Sequence, residues 1–224
     1  MEPINLLRYI RNPFVNAYRL LKVATKYKKM HWNNLVSNIS DCKIHKQTKI
    51  YNNHYLRNVT IERGTYVGFN ALISNTTIGK FCSIGPNLSC GWGIHPIHGV
   101  STSPVFFSTF KQAGFSFSTE NKYVERKQIK IGNDVFIGWN VTILDGITIG
   151  DGAVIGAGAV VSKDIPPYAV AIGCPIKVIK YRFSKERIDA LIESKWWNQN
   201  DETLKVLEKN FFDVDNFLKL IKEK

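Results

Sequence analysis

Several features are missing from this 224-residue chain, and each absence removes a class of protein. No basic-then-apolar leader opens it, and no apolar run approaches the ~18 residues of a membrane span. A reduced, cytoplasmic chain that does not cross a membrane is therefore expected. The four cysteines, Cys42, Cys82, Cys90 and Cys174, form no CxxC pair and show no metal spacing. Acidic residues are outnumbered, 18 against 30 Lys and Arg, which leaves a net charge of +12. Such an excess often serves nucleic acid, yet no helix-turn-helix, RNA-recognition or zinc-finger pattern accompanies it, so no nucleic-acid partner is expected. The charge suits a phosphorylated cofactor, an anionic glycan or an anionic membrane surface.

What is present is a period of six. Ile131, Ile137, Ile143, Ile149, Ile155 and Val161 are aliphatic and six apart, and Gly132, Gly138, Gly150 and Gly156 follow four of them. A second aliphatic or small series runs four residues later: Val135, Val141, Ile147, Ala153, Ala159 and Ile165. Neither a helical period of 3.6 nor a strand alternation of two gives this spacing. It fits a solenoid of very short strands, with every sixth side chain inward and small residues at the corners. A Gly-rich antiparallel meander would show paired turn signals and no fixed phase. Upstream, Ile44, Ile50 and Leu56, then Ile61, Val67 and Ile73, then Ile78 and Ile84 carry the same step in shifted phases, as bulges or extra corner residues would produce.

The stretch IGNDVFIGWNVTILDGITIGDGAVIGAGAVVSKDIPPYAVAIGCPIKVIKYRF, from Ile131 to Phe183, resembles the signature half of the hexapeptide-repeat acyltransferases. The block IGKFCSIGPNLSCGWGIHPIHGVSTSPVFFS, from Ile78 to Ser108, is similar to their xenobiotic O-acetyltransferase branch. That branch includes streptogramin and chloramphenicol acetyltransferases and sugar O-acetyltransferases. The resemblance covers about residues 60 to 197 and implies a mainly β fold, a left-handed parallel β-helix. It also implies a homotrimer, and acetyl-CoA as the acyl donor held between adjacent coils.

Between Cys90 and Ile129 the period vanishes, and Trp92, Gly93, His95, Pro96, His98, Pro104 and a run of aromatics follow. A long aperiodic loop inside a compact repeat is usually functional. Transfer of acetyl to a hydroxyl needs a base that takes the proton as the oxygen attacks the thioester carbonyl, and histidine suits cellular pH. The resemblance puts that base at His95, a few residues before Gly99, although Ile94 stands where the family often has Asn. His98 is the rival. A three-histidine zinc site like that of the related γ-class carbonic anhydrases has no counterpart, because no histidine follows position 98.

For the cofactor, Gly156, Ala157, Gly158 and Ala159 offer a smooth wall along which a pantetheine arm could pair with backbone groups. By the resemblance, Trp139, Ala157, Ser162 and Lys163 occupy cofactor-contact positions, and Lys177 and Lys180 match residues that meet its phosphates. Cys174 stands in a Gly-Cys-Pro where Gly-Asn-Pro is commoner, with no histidine after it to activate a thiol. Cys82 and Cys90 are read as core-filling.

Three segments are expected: a basic helical segment over 1–40, the coil over 41–182 with its inserted loop over 91–129, and a helical cap over 183–224. In residues 1–30 the basic Arg8, Arg11, Arg19, Lys22, Lys26, Lys28 and Lys29 face a single acid, Glu2. That segment is either a packing element, the preferred reading, or a surface resting on anionic lipid at the inner face of the membrane. Asp164, Pro166 and Pro167 are expected to stop the strands. Ser184 then opens one helix, and a second runs through Leu204, Leu207, Phe211, Phe212, Phe217 and Ile221, the pair shielding the open end of the coil. The function expected is O-acetyl transfer to a sugar or surface-polysaccharide unit. An antibiotic acetyltransferase and a catalytically silent membrane-surface scaffold are the alternatives.

Overall fold

The computed structural model describes residues 37–222 together with Val15, Ala17, Tyr18 and Leu21. The basic helices read over residues 1–30 lie outside the described residues, apart from those four, which are helical. Among the described residues no helix is long and apolar enough to cross a membrane.

The chain is a parallel β-solenoid whose short strands stack into three columns. The first column runs β1 (Asn38–Ser40), the first half of β4 (His54–Ile61), the first half of β6 (Ala71–Ile78), β8 (Ser89–Cys90), β11 (Thr142–Ile143) and β14 (Val160–Val161). The second runs β2 (Lys43–Ile44), the second halves of β4 and β6, β9 (Ile129–Ile131) and β12 (Thr148–Ile149), ending on a bridge from Ile149 to Ile165. The third runs β3 (Lys49–Ile50), β5 (Tyr66–Val67), β7 (Ser83–Ile84), β10 (Phe136–Ile137), β13 (Val154–Ile155) and β15 (Ala169–Ile172). Strands β4 and β6 each bend through a corner, at Asn58 and Asn75, whose φ values are 53° and 51°.

Both six-residue series point inward. Ile131, Ile137, Ile143, Ile149, Ile155 and Val161 are buried, as are Val135, Val141, Ile147, Ala153, Ala159 and Ile165. Each fully buried aliphatic of this kind contributes roughly 1.5–3 kcal/mol. The upstream phase shifts have a simple cause. Lys49 pairs with Tyr66 and His54 with Ala71, so those turns are 17 residues long, against 18 from Phe136 to Val154.

The corner from the third column to the first shows why glycine and asparagine recur. Gly68-Phe69-Asn70, Gly85-Pro86-Asn87, Gly138-Trp139-Asn140 and Gly156-Ala157-Gly158 lie one above another. A Cβ on Gly85 would come within 2.8 Å of the Gly138 carbonyl, and one on Gly138 within 2.6 Å of the Ala157 nitrogen. The third residue turns the chain in the left-handed region, with φ of 57°, 58°, 60° and 71° at Asn70, Asn87, Asn140 and Gly158. Asparagine tolerates that region better than other side chains. Here the amides also bond each other: Asn70 Nδ2 donates to Asn87 Oδ1 at 3.1 Å, and on the next corner Asn58 Nδ2 donates to Asn75 Oδ1 at 2.8 Å.

Pro166 and Pro167 interrupt the run of two-residue strands as a corner, and β15 then completes another rung on β13 within the coil expected over 41–182. The backbone tolerates them because a corner residue owes no ladder hydrogen bond. One expectation for the C-terminal part needs correction: the helices do not cap the open end. Strand β16 (Lys177–Tyr181) turns back antiparallel on β15 and covers its edge. The helices α1 (Lys185–Ser194), α2 (Asp201–Lys209) and α3 (Val214–Lys222) then lie along the corner between the second and third columns. There Trp196 stacks on Phe81 at 5.7 Å, Lys80 Nζ donates to Asn198 Oδ1 at 2.9 Å, and Arg63 pairs with Asp201. Leu191, Trp196, Trp197, Phe217 and Leu218 share one cluster with Tyr168. The second expected helix is two, because Asn210 to Asp213 form a turn that leaves Phe211 and Phe212 exposed.

Two outcomes follow from this packing. Asn87→Ala should destabilise the fold by about 1 kcal/mol more than Asn87→Gly, since both lose the amide pair but only alanine is strained at positive φ; paired denaturant melts measure it. Among the thiols, Cys42, Cys82 and Cys90 are buried and burial pushes Cys82 and Cys90 up to about 12, whereas Cys174 is exposed. At pH 8 a disulfide reagent should therefore label one thiol quickly and the rest only on unfolding; two or more fast thiols in the folded protein would contradict this core.

Candidate active site

The inserted segment leaves the coil between the first and second columns. At that corner Asn58 and Asn75 turn the two preceding rungs and Leu144-Asp145-Gly146 the next. Gly91 keeps the last ladder bond, its amide donating to the Ile143 carbonyl at 3.1 Å, while turning out with φ 70°. Only glycine fits there, because a Cβ would sit 2.6 Å from the Ser74 carbonyl. Trp92 then lies against Tyr55 at 5.4 Å and its indole N–H donates to the Leu72 carbonyl at 3.4 Å. The two strands of the neck meet where the Ile94 amide donates to the Glu125 carbonyl at 2.8 Å.

His95 is the next residue, and it is exposed. Its Nδ1 lies 2.6 Å from the backbone carbonyl of Thr102. A carbonyl only accepts, so Nδ1 carries the proton of the neutral ring and Nε2 is left with its lone pair. The ring stands edge-on to Phe107 at 5.8 Å, which stands edge-on to Tyr123 at 6.2 Å. Phe107 is itself fixed at the end of a 3₁₀ turn over Pro104–Phe106, its carbonyl accepting from the Lys122 amide at 2.8 Å. The imidazole is thus held on one nitrogen and one edge. His98, three residues on, is exposed. Thr102 was not foreseen in the sequence; a backbone carbonyl leaves no signature in residue identity.

The residues expected to meet the cofactor fall into three groups. Trp139, Ala157 and Gly158 share the corner between the third and first columns, where the Gly158 amide donates to the Trp139 carbonyl at 2.8 Å. Trp139 is 51% exposed and meets Phe69 edge-on at 5.4 Å, so it is not a core residue. Ser162 and Lys163 are exposed at the other end of β14, on the corner from which the His95 loop departs two rungs earlier. Between these corners lies the outer face of the first column, with Thr142 and Val160 half-buried on it. Lys177 pairs with Ile172, whose Cγ2 covers Gly156, so it lies beside the Trp139 corner. Lys180 pairs with Val170, farther along the third column. The structure thus brings Trp139, Ala157, Gly158 and Lys177 to one edge and Ser162, Lys163 and the base of the His95 loop to another, and sets Lys180 apart.

Residues 128–163 match the model of the hexapeptide repeat of succinyl-transferase. A probable macrolide acetyltransferase of Lysinibacillus sphaericus is 41% identical over 57% of this chain and 71% of its own length. A chloramphenicol acetyltransferase of Klebsiella aerogenes is 40% identical over 59% of this chain and 64% of its own. The galactoside O-acetyltransferase of Escherichia coli K12 is 39% identical over 56% of this chain and 55% of its own. The chain therefore spans between about half and three quarters of the length of these relatives. Parallel solenoid, inserted loop and sequence together make the chain a member of the hexapeptide-repeat acetyltransferases.

Proposed function

We propose that this chain transfers the acetyl group of acetyl-CoA to a hydroxyl of a sugar or surface-polysaccharide unit, with His95 as the general base. The observation that carries the reading is the bond from His95 Nδ1 to the Thr102 carbonyl, which leaves Nε2 free to accept a proton. The acceptor hydroxyl gives its proton to Nε2 as its oxygen attacks the thioester carbonyl. The tetrahedral oxyanion is stabilised by backbone N–H groups of the coil. The carbon–sulfur bond then breaks, and the imidazolium returns the proton to the departing thiolate, so that the base ends neutral. No covalent enzyme intermediate is required, and Cys174 has no part in the scheme.

The donor's polar arm suits the outer face of the first column, beside the corner where small residues at Ala157 and Gly158 leave the backbone uncovered. Trp139 offers an aromatic wall at one end and Ser162 and Lys163 polar contacts at the other. Lys177 and Lys180 supply positive charge for the phosphates. The active species is a homotrimer in this reading, with the cofactor lodged between neighbouring coils, and the chain acts in the cytoplasm. A second acceptor class has its own support: the macrolide and chloramphenicol acetyltransferases are relatives at 41% and 40% identity. Exposed Phe106, Phe110, Phe115 and Phe117 on the inserted loop would suit the face of a sugar or of a larger apolar acceptor. A silent scaffold does not account for an imidazole held with one nitrogen free.

His95→Ala should lower acetyl transfer by roughly two to four orders of magnitude with the melting temperature unchanged, and His98→Ala by far less. Run against nitrophenyl galactosides and chloramphenicol side by side, the same assay identifies the acceptor class; full turnover by His95→Ala on every acceptor would end the base assignment. Lys177→Glu should raise the Michaelis constant for acetyl-CoA more than that for its dephospho derivative, because it sets a charge against phosphate. Equal effects on the two donors would remove Lys177 from the phosphate site.

A further inference from the structure

The inserted segment is joined to the coil by a carboxylate that belongs to neither of its ends. Asp145 stands on the corner between β11 and β12, one rung beyond the point of departure. Its Oδ2 accepts from the Gly93 amide at 2.9 Å and its Oδ1 from the Lys127 amide at 3.1 Å. Gly93 lies two residues before His95, and Lys127 two residues before the chain rejoins the coil at Ile129. One side chain on a rigid corner therefore grips both the outgoing and the returning strand.

Other groups complete the same neck. Arg126 donates through Nη1 to Ser74 Oγ at 3.0 Å and to the Gly91 carbonyl at 3.3 Å, and its guanidinium lies 6.0 Å from the Trp92 ring centre. The Lys127 side chain crosses Gly146, where an added Cβ would come within 3.2 Å of its Cβ and Cδ. Gly93 has φ 105°, and a Cβ there would meet the Glu125 carbonyl at 3.2 Å. Neighbouring corners use single carboxylates in a simpler way. Asp164 accepts one amide, that of Thr148, at 2.7 Å, and Asp151 accepts the backbone and side-chain nitrogens of Asn133 at 2.6 and 2.8 Å. Each of these ties one rung to the next, and Asp145 differs because its two donors are 34 residues apart, at 93 and 127.

We infer that Asp145 is the positioning residue for His95, its carboxylate fixing the neck of the inserted loop so that the imidazole meets the acceptor in register with the coil. This rests on the reading of His95 as the base. Charge-assisted bonds from two backbone amides to one carboxylate are stronger than neutral ones, and a carboxylate is the side chain that accepts both without presenting a donor. Asparagine could accept one amide and would set its own N–H groups against the other. Misplacing a catalytic group by about 1 Å can cost on the order of 100-fold in rate, so a loosened neck should act on turnover before it acts on folding.

The test uses the full chain with Asp145→Ala, Asp145→Asn and, as a comparison, Asp151→Ala, which removes two hydrogen bonds on the corner between the second and third columns. Amide hydrogen exchange should speed up by about 10-fold or more at Gly93 and Lys127 in Asp145→Ala, less in Asp145→Asn, and not in Asp151→Ala. Thiol release from acetyl-CoA is followed with a nitrophenyl galactoside or chloramphenicol as acceptor and with water alone. In Asp145→Ala kcat should fall about 10- to 100-fold while the Michaelis constant for acetyl-CoA stays within about twofold, with Asp145→Asn between it and the unaltered chain. Unchanged exchange at Gly93 and Lys127 would overturn the clasp, and faster exchange with kcat no lower than in Asp151→Ala would overturn the positioning role. Failure of the base reading shows separately, as full activity in His95→Ala whatever the exchange at the neck.

Discussion

Most strands of this coil are two or three residues long, too short to persist as a sheet by themselves. Each exists because the backbone of the next turn, 16 to 18 residues away where no insertion intervenes, lies within hydrogen-bond reach along its whole length. Register between turns is therefore the constraint on which everything else depends. It requires an inward aliphatic at every rung, a glycine where successive corners touch, and a residue at positive φ to turn each corner. Where one requirement is met by an unusual residue, another group compensates. Phe81, at φ 58° on a corner where Gly64 and Gly152 serve other turns, stacks on Trp196 and so helps to hold the helical flank.

The same register serves the site. A column of rungs is a fixed ruler, so the corner bearing Trp139, Ala157 and Gly158 and the corner bearing Ser162 and Lys163 stand at the two ends of β14 with no freedom to drift. In the proposed scheme the inserted segment adds the imidazole of His95 beside that column. Its neck is bonded to the rungs on either side of it, through Gly91 to Ile143 and through Arg126 to Ser74. Catalysis in the proposed scheme rests on placement: one imidazole with its tautomer set by Thr102, against a donor laid along a rigid wall.

The aliphatic hexads named every inward residue from Ile131 to Val161 correctly, because a core column tolerates little besides aliphatics and small residues. Upstream the period was visible but its meaning was not. A search for steps of six sees shifted phases, whereas Asn53, Asn70 and Asn87, and likewise Asp41, Asn58 and Asn75, repeat at 17, the true length of those turns. The helices were legible as helices, but their seat was not. It depends on Phe81, Lys80 and Arg63 converging on one corner from turns that sequence distance keeps apart, and on β16 having already covered the edge of β15. For the site, the position of His95 in an aperiodic loop was apparent. Its partner was not, since a backbone carbonyl carries no mark of residue type. Nothing in the sequence singles out Asp145; only the fold brings residues 93 and 127 to it.

The central claim, that the fold presents His95 with a free Nε2, is open to direct observation. Long-range nitrogen–proton correlation spectra of the uniformly labelled protein, recorded above the titration range of histidine, report which ring nitrogen carries the proton. His95→Gln identifies the resonance among the five histidines. The geometry predicts a protonated Nδ1 and a bare Nε2 for His95, with the Nδ1 proton slowed in exchange by the Thr102 carbonyl. A His95 ring with its proton on Nε2, or two tautomers in fast exchange, would contradict it.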